Sequence, residues 1–243
     1  MNLYKQAMGI VTVAMLVLVT DIQAGSVSGT VTFKGTPRKA KALQLGADPV
    51  CETMHPERLR DEKFTVGEGQ GDVYPLADVF VYIKSGVQDK NYPAPTAPVV
   101  IDQKGCHYIP HVLGVQVGQE VEFKNSDKTM HNVHSLAKHS SPFNRGMPAG
   151  TPNAKYKLKK TEVMAKIKCD AHPWMSCYIG VVPHPFFAVT GIDGKFTLDG
   201  LADGEYEVEV WQELLKTQTS KVTVSGGAGT VDFQYVKKKK KKK

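Results

Sequence analysis

The sequence predicts an all-β protein of β-sandwich architecture, and three observations carry that expectation. Short apolar–polar alternations recur along nearly the whole chain. Asp193-Gly194 and Asp203-Gly204 offer tight turns between the later ones. No long stretch repeats apolar residues at the 3.6-residue period of an amphipathic helix. Alternation marks a strand because successive side chains point to opposite faces of a sheet.

Each element follows from its own pattern. Val27, Gly29, Val31 and Phe33 alternate with Ser28, Thr30 and Thr32, a half-buried strand. Val79, Val81 and Ile83 interleave with Phe80 and Tyr82, so both faces of that strand are expected to be covered. Val115 and Val117, then Val121 and Phe123, flank a turn at Gly118. Val163, Ala165, Ile167 and Cys169 share one face, opposite Met164, Lys166 and Lys168. Phe196 and Leu198 alternate with Lys195 and Thr197. Tyr206, Val208 and Val210 alternate with Glu205, Glu207 and Glu209, which read as a solvated face rather than a catalytic pair. Trp211 reads as core, and Val222 and Val224 close the series. Residues 47–75 and 138–160 read as loops, the second carrying Pro142, Pro148 and Pro152.

The formal charge of +7 comes entirely from the last seven residues, Lys237 to Lys243; the remaining acidic and basic residues cancel. A fold that grips nucleic acid clusters Lys and Arg across the domain, so no nucleic-acid partner is expected. With 41% hydrophobic and 23% charged residues, the chain is neither polytopic nor wholly disordered. The lysine run reads as a solvated tail, with weak contact to an acidic partner or an anionic lipid surface as its functional reading. At the other end, Met1 to Ala24 reads as a signal peptide. Lys5 is its positive start, and Met8 to Thr20 is an apolar run shorter than the ~20 residues of a membrane span. Asp21 near the cut leaves an uncleaved anchor as the alternative. The expected location is periplasmic or secreted, where disulfides persist.

The chemistry sits in two segments, Met130-His131-Asn132-Val133-His134 and Cys169-Asp170-Ala171-His172-Pro173-Trp174-Met175. The second offers a thiol, an imidazole and a thioether on one loop; the first offers imidazole from a separate strand. Two imidazoles, a thiolate and a weak axial thioether are what a mononuclear blue copper site requires. Cys169 is expected at a strand end on the inward face. His172, beside Pro173 and Trp174, is expected to be the ligand that reaches the surface. A zinc set of Cys169, His172, His131 and His134 is the alternative metal reading. It leaves Met175 and Asn132 without a role, and on a strand His134 points away from His131.

The spacing Cys-x-x-His-x-x-Met, with Pro after the His and an aromatic before the Met, resembles the cupredoxins, and the amicyanin type in particular. The His-Asn-Val-His segment is similar to that family's first-ligand segment, and the matching stretch runs roughly from Pro98 to Val182. The resemblance implies a Greek-key cupredoxin sandwich with His131, Cys169, His172 and Met175 as copper ligands. It implies Asn132 as the residue that steadies the Cys169 loop, and Pro173 and Trp174 as the rim for electron transfer. A second resemblance covers the rest. Gly25 to Phe33, Phe187 to Leu198 and Gly200 to Trp211 look like a carboxypeptidase regulatory-like domain, a small transthyretin-like β-sandwich. Together they imply a discontinuous outer sandwich, residues 25–96 and 184–236, with the cupredoxin domain, residues 97–183, inserted, and the tail 237–243 beyond.

Cys51 and Cys106 are the best disulfide pair, with Cys51–Cys177 and Cys106–Cys177 as alternatives and Cys177 otherwise a buried thiol. His55, His107, His111, His139 and His184 carry no ligand spacing. The expected function is single-electron transport between protein redox partners, without enzymatic activity, since no His-x-His pair offers a second copper centre. The alternative is an envelope or polysaccharide binding module with a structural or vestigial metal site.

Overall fold

A computed structural model describes residues 24–46 and 48–236. The expected signal peptide, apart from Ala24, and the lysine tail lie outside the described residues. The chain opens with β1 (Gly25–Lys34), a six-residue helix α1 (Pro49–Met54), β2 (Val73–Pro75) and β3 (Phe80–Ser85). Nine strands follow: β4 (Val99–Gln103), β5 (Tyr108–Ile109), β6 (Val112–Gln116), β7 (Glu120–Asn125), β8 (His131–Ser135), β9 (Phe143–Met147), β10 (Ala154–Lys157), β11 (Glu162–Lys168) and β12 (Ser176–Val182). The chain ends with β13 (Phe187–Val189), β14 (Lys195–Leu201), β15 (Gly204–Gln212), β16 (Lys216–Val224), β17 (Ala228–Thr230) and β18 (Phe233–Val236).

These strands form four sheets and two sandwiches, so the protein is all-β. One sandwich stacks the sheet around β1, flanked by β14, β17, β18 and β2, on the sheet β13-β3-β15-β16. Val27, Val31, Phe196 and Leu198 of the first meet Val81, Ile83, Val208 and Val210 of the second in one core. The other sandwich stacks β10-β7-β4-β5 on β6-β12-β11-β8-β9. Its core joins Ile101, Val121 and Phe123 to Val133, Ala165, Ile167 and Ile179. The parallel pairs β4–β7 and β6–β12 require crossovers between its two sheets.

The doubly apolar strand β3 explains how the sandwiches meet. Val79, Val81 and Ile83 enter the first core, while Phe80 and Tyr82 turn the other way, against Val112, Met164, Tyr178 and Val182. Gly114 and Gly180 face each other across β6 and β12 and leave a flat seat there. A Cβ at Gly180 would stand 2.4 Å from the Phe80 ring, and one at Gly114 would stand 2.3 Å from that of Phe187. We therefore expect Gly180→Ala to cost about 1–3 kcal/mol by overpacking, measured as a shift of the urea midpoint at unchanged slope. A neutral substitution would show that the sandwiches can separate at this seat.

Several expectations are corrected. Residues 47–75 contain α1 and β2, and residues 138–160 contain β9 and β10. Glu209 is not solvated: it accepts from Tyr82 Oη at 2.7 Å and from Lys84 Nζ at 2.8 Å and is 9% exposed. Val163 does not continue the face of Ala165, Ile167 and Cys169. Met164 adopts φ = 70° and shifts the register of β11 against β12 there. Trp211 is half-buried, its ring tilted by 50° against that of Tyr178 at the seam between the sandwiches.

Residues 38–61 leave β1 and form a lobe on the second sandwich. Leu43 and Leu59 pair through their backbones, and Arg38 closes the base with two bonds to Asp61 at 2.6 and 2.7 Å. Leu45, Cys51 and Leu59 sink into the second sandwich's core. Cys51 is bonded to Cys106, which ties α1 to the loop between β4 and β5.

Candidate metal centre

The centre forms where β8 begins and β11 ends. Strand pairing of Lys168 with His134 brings these two segments side by side. Cys169 directly follows β11, and the chain then turns back through two bonds, Met175 N–H to His172 O at 2.9 Å and Cys169 N–H to Met175 O at 3.2 Å. Pro173 at the tip cannot donate to a ladder, which suits a loop here. His131, Cys169, His172 and Met175 are all buried. The Nδ1 atoms of His131 and His172 lie 2.9 Å apart, and Cys169 Sγ lies 3.6 Å from His172 Nδ1. These three donors cluster closely enough to share one ion.

Each imidazole is oriented from behind by a carboxylate, and sequence reasoning missed both. His131 Nε2 donates to Asp127 Oδ2 at 2.8 Å. Asp127 is fixed in turn by the backbone N–H groups of Gly105 and Cys106 at 2.7 and 2.8 Å. His172 Nε2 donates to Asp48 Oδ2 at 2.9 Å. Asp48 caps α1 through Oδ1, accepting from Val50 and Cys51 N–H, and accepts from Thr129 Oγ1 at 2.7 Å. When each ring carries a single proton, the carboxylate holds it at Nε2 and the Nδ1 lone pair faces the centre, the usual way an outer carboxylate sets tautomer and ring orientation. An Asp before Pro at a helix start is a recognisable cap, so α1 had a sequence signal; Asp48's reach to His172 had none.

Electrostatics shift the Cys169 thiol toward ionisation. Burial pushes the Cys169 thiol up, but hydrogen bonds from His131 and from the N–H of Asn132 outweigh it, and the group lies below its ordinary value. Burial pushes His131 down; its bonds to Asp127 and Cys169 prevail and raise it to about 9. Burial opposes ionisation of Asp48, yet its bonds to Thr129 and His172 hold it down at about 2. Asn132 joins the two ligand segments: its N–H approaches Cys169 Sγ at 3.4 Å, and its Oδ1 accepts from Asp170 N–H at 2.6 Å.

Among the other residues singled out, His134 lies outside the centre, 3.0 Å from Asp170. Cys177 is a buried free thiol, raised by desolvation. Pro173 is exposed and Trp174 half-buried, with its ring 5.0 Å from that of His172. His172 itself does not reach the surface. It is 3% exposed because Asp48 and α1 cover it.

The donor set fits copper. Two imidazoles and a thiolate converge in a buried frame, and Met175, 1% exposed, closes the ligand loop. No helix among the described residues is long and apolar enough to cross a membrane.

No family model and no curated protein matches the sequence. Solved structures do show likeness. A copper-containing nitrite reductase from Thermus scotoductus SA-01 aligns at TM-score 0.33 and 22% identity, over 41% of this chain and 25% of its own. A purple cupredoxin from Nitrosopumilus maritimus aligns at TM-score 0.30 and 23% identity, over 35% of this chain and 98% of its own. A reduced amicyanin variant aligns at TM-score 0.32 and 20% identity, over 42% of this chain and 97% of its own. The chain thus spans a quarter of the nitrite reductase and nearly all of the two smaller proteins.

Proposed function

We propose that the protein is a cupredoxin-type single-electron carrier that holds one copper ion at His131, Cys169, His172 and Met175. The observation that carries this reading is the buried meeting of two carboxylate-backed imidazoles with the Cys169 sulfur just past a strand end. When bound, copper supplies a one-electron couple. The rest is the work of the chain. Asp127 and Asp48 hold the Nε2 protons and fix both rings, and Asn132 steadies the thiolate. The surrounding core of Val133, Ile167 and Tyr108 excludes water. A frame held this tightly changes little between oxidation states, which is what fast, reversible exchange needs.

The protein acts on no substrate of its own in this reading. Among the described residues, the clusters able to take a metal all converge on this centre. The sandwich of β4–β12 is the copper domain, and the discontinuous one is a carboxypeptidase regulatory-like platform. The Cys51–Cys106 bond supports an oxidising, extracytoplasmic location.

Voltammetry of the copper-loaded protein tests the reading, with reversible one-electron waves expected. Met175→Leu is expected to keep the colour and raise the potential by about 60 mV or more, a tenfold shift toward Cu(I), because the axial thioether is lost. An unchanged potential would remove Met175 from the ligand set.

A further inference from the structure

The imidazole edge of His172 is closed to a partner, because Asp48 sits on its Nε2 and α1 is bonded to the protein through Cys51. The next ring outward is Trp174. Its centroid lies 5.0 Å from that of His172, and its indole N–H donates to Cys106 O at 3.2 Å. Trp174 also forms part of the wall of a cavity of about 570 Å³ between the lobe, the ligand loop and the turn at Leu214.

That cavity is basic once its internal pairs are set aside. Asp61 is neutralised by Arg38, while Glu62, hydrogen-bonded to His107 at 2.7 Å, keeps one negative charge in the wall. Among the described residues, Lys41, Arg60 and Lys166 meet no carboxylate at ion-pair distance, so three cations stand against Glu62. Arg60 donates to a backbone carbonyl, Ala40 O, at 3.0 Å, and Lys166 lies 5.8 Å over the Tyr178 ring; neither contact neutralises charge. Lys41 is exposed. A neighbouring cavity shares Arg38 and Leu214 with this one and has Val236 in its wall. The sequence runs from Val236 directly into Lys237 to Lys243. The residues the two cavities share are Arg38, already paired with Asp61, and Leu214, so the free positive charge beside Trp174 is that of Lys41, Arg60 and Lys166.

We propose that Trp174 is the electron-exchange edge and that the basic cavity around it docks an acidic redox protein, whose carboxylates meet Lys41, Arg60 and Lys166. The electron-transfer half rests on the copper reading; the docking half does not. One electron crosses, so that Cu(I) becomes Cu(II) as the partner's one-electron centre is reduced, or the reverse, and no bond is made or broken. A cavity of about 570 Å³ is larger than a small anion fills. A phosphate backbone favours an unbroken row of cations, and here it meets Asp61 and Glu62 in the same wall.

The test has two arms. In the first, hexacyanochromate(III), a paramagnetic and redox-inert anion, is titrated into the metal-free, isotope-labelled protein. Selective broadening of the Trp174 indole N–H signal is expected, and loss of it in the Lys41→Glu, Arg60→Glu, Lys166→Glu triple variant. Oligoglutamate is expected to protect that signal better than oligothymidylate of equal charge. In the second arm, the reduced copper protein is oxidised by anionic hexacyanoferrate(III) and by cationic tris(phenanthroline)cobalt(III). The triple variant should slow the first by roughly tenfold at low salt and speed the second, with the difference fading at high salt. Trp174→Leu should slow both. Broadening elsewhere, or rates indifferent to the triple variant, would overturn the docking site. Rates unchanged in Trp174→Leu would overturn the exchange edge, and better protection by oligothymidylate would put a nucleic acid in place of the protein. Failure to take up copper would defeat the carrier reading, while the first arm would still decide the cavity.

Discussion

Replacing Cys169 by serine is expected to abolish the intense visible absorption of the copper-loaded protein while leaving the metal-free fold intact. The colour of such a site arises from charge transfer between a thiolate sulfur and Cu(II), and Cys169 is the one thiol at the centre: Cys177 is buried and absent from every donor cluster among the described residues. The hydroxyl is close in shape to the thiol, so the strand end and the loop bonds at Met175 and His172 need not move. It stays protonated at neutral pH, however, and its oxygen lacks the softness that suits Cu(I). Loss of this ligand should weaken copper by more than the ~10–100-fold that follows removal of a supporting residue. The check is a visible spectrum beside circular dichroism of the metal-free variant. Colour that survives the substitution would place the metal elsewhere.

Removing the Cys51–Cys106 disulfide is expected to have the largest effect on stability. The bond closes a span of 55 residues, and the loss of chain entropy in the unfolded state gives an upper figure of about 4 kcal/mol. The consequence reaches the centre. A helix of six residues cannot stand alone in water, so α1 depends on the bond, on Leu45 in the core and on Asp48's own contacts. Cys106 also donates its N–H to Asp127, so one bridge supports the carboxylates behind both histidines. The Cys51→Ala, Cys106→Ala variant should lose most of this stability in urea denaturation of the metal-free protein. A loss below about 1 kcal/mol would show that the lobe is held by packing alone.

The strands were legible because their signals are local. Alternation placed β1, β14 and β15, and the two-sided run from Val79 to Ile83 marked the strand that lies between a core and a second sandwich. That His131, Cys169 and His172 would cluster was legible for a related reason: Cys169 and His172 share one loop, and the strand pattern before Cys169 set its inward face. What escaped the sequence reading acts over distance. Asp48 lies 124 residues from His172, and nothing in either neighbourhood signals that the lobe folds back over the ligand. The expectation that His172 is exposed failed for that reason. Pro173 is exposed and Trp174 half-buried, whereas His172 is buried. Asp127 stands four residues before His131 at the end of a turn, and its role depends on N–H groups from the distant Gly105–Cys106 loop. Val163 misled because the positive φ at Met164 breaks the two-residue period just where it was being counted.

The most direct measurement is titration of the mature, metal-free protein with Cu(II), followed by its visible and electron paramagnetic resonance spectra. One equivalent should bind, with an intense thiolate-to-copper band and a narrow copper hyperfine splitting, and zinc should not displace it. A colourless protein that takes zinc more tightly than copper would contradict a blue copper centre at His131, Cys169, His172 and Met175.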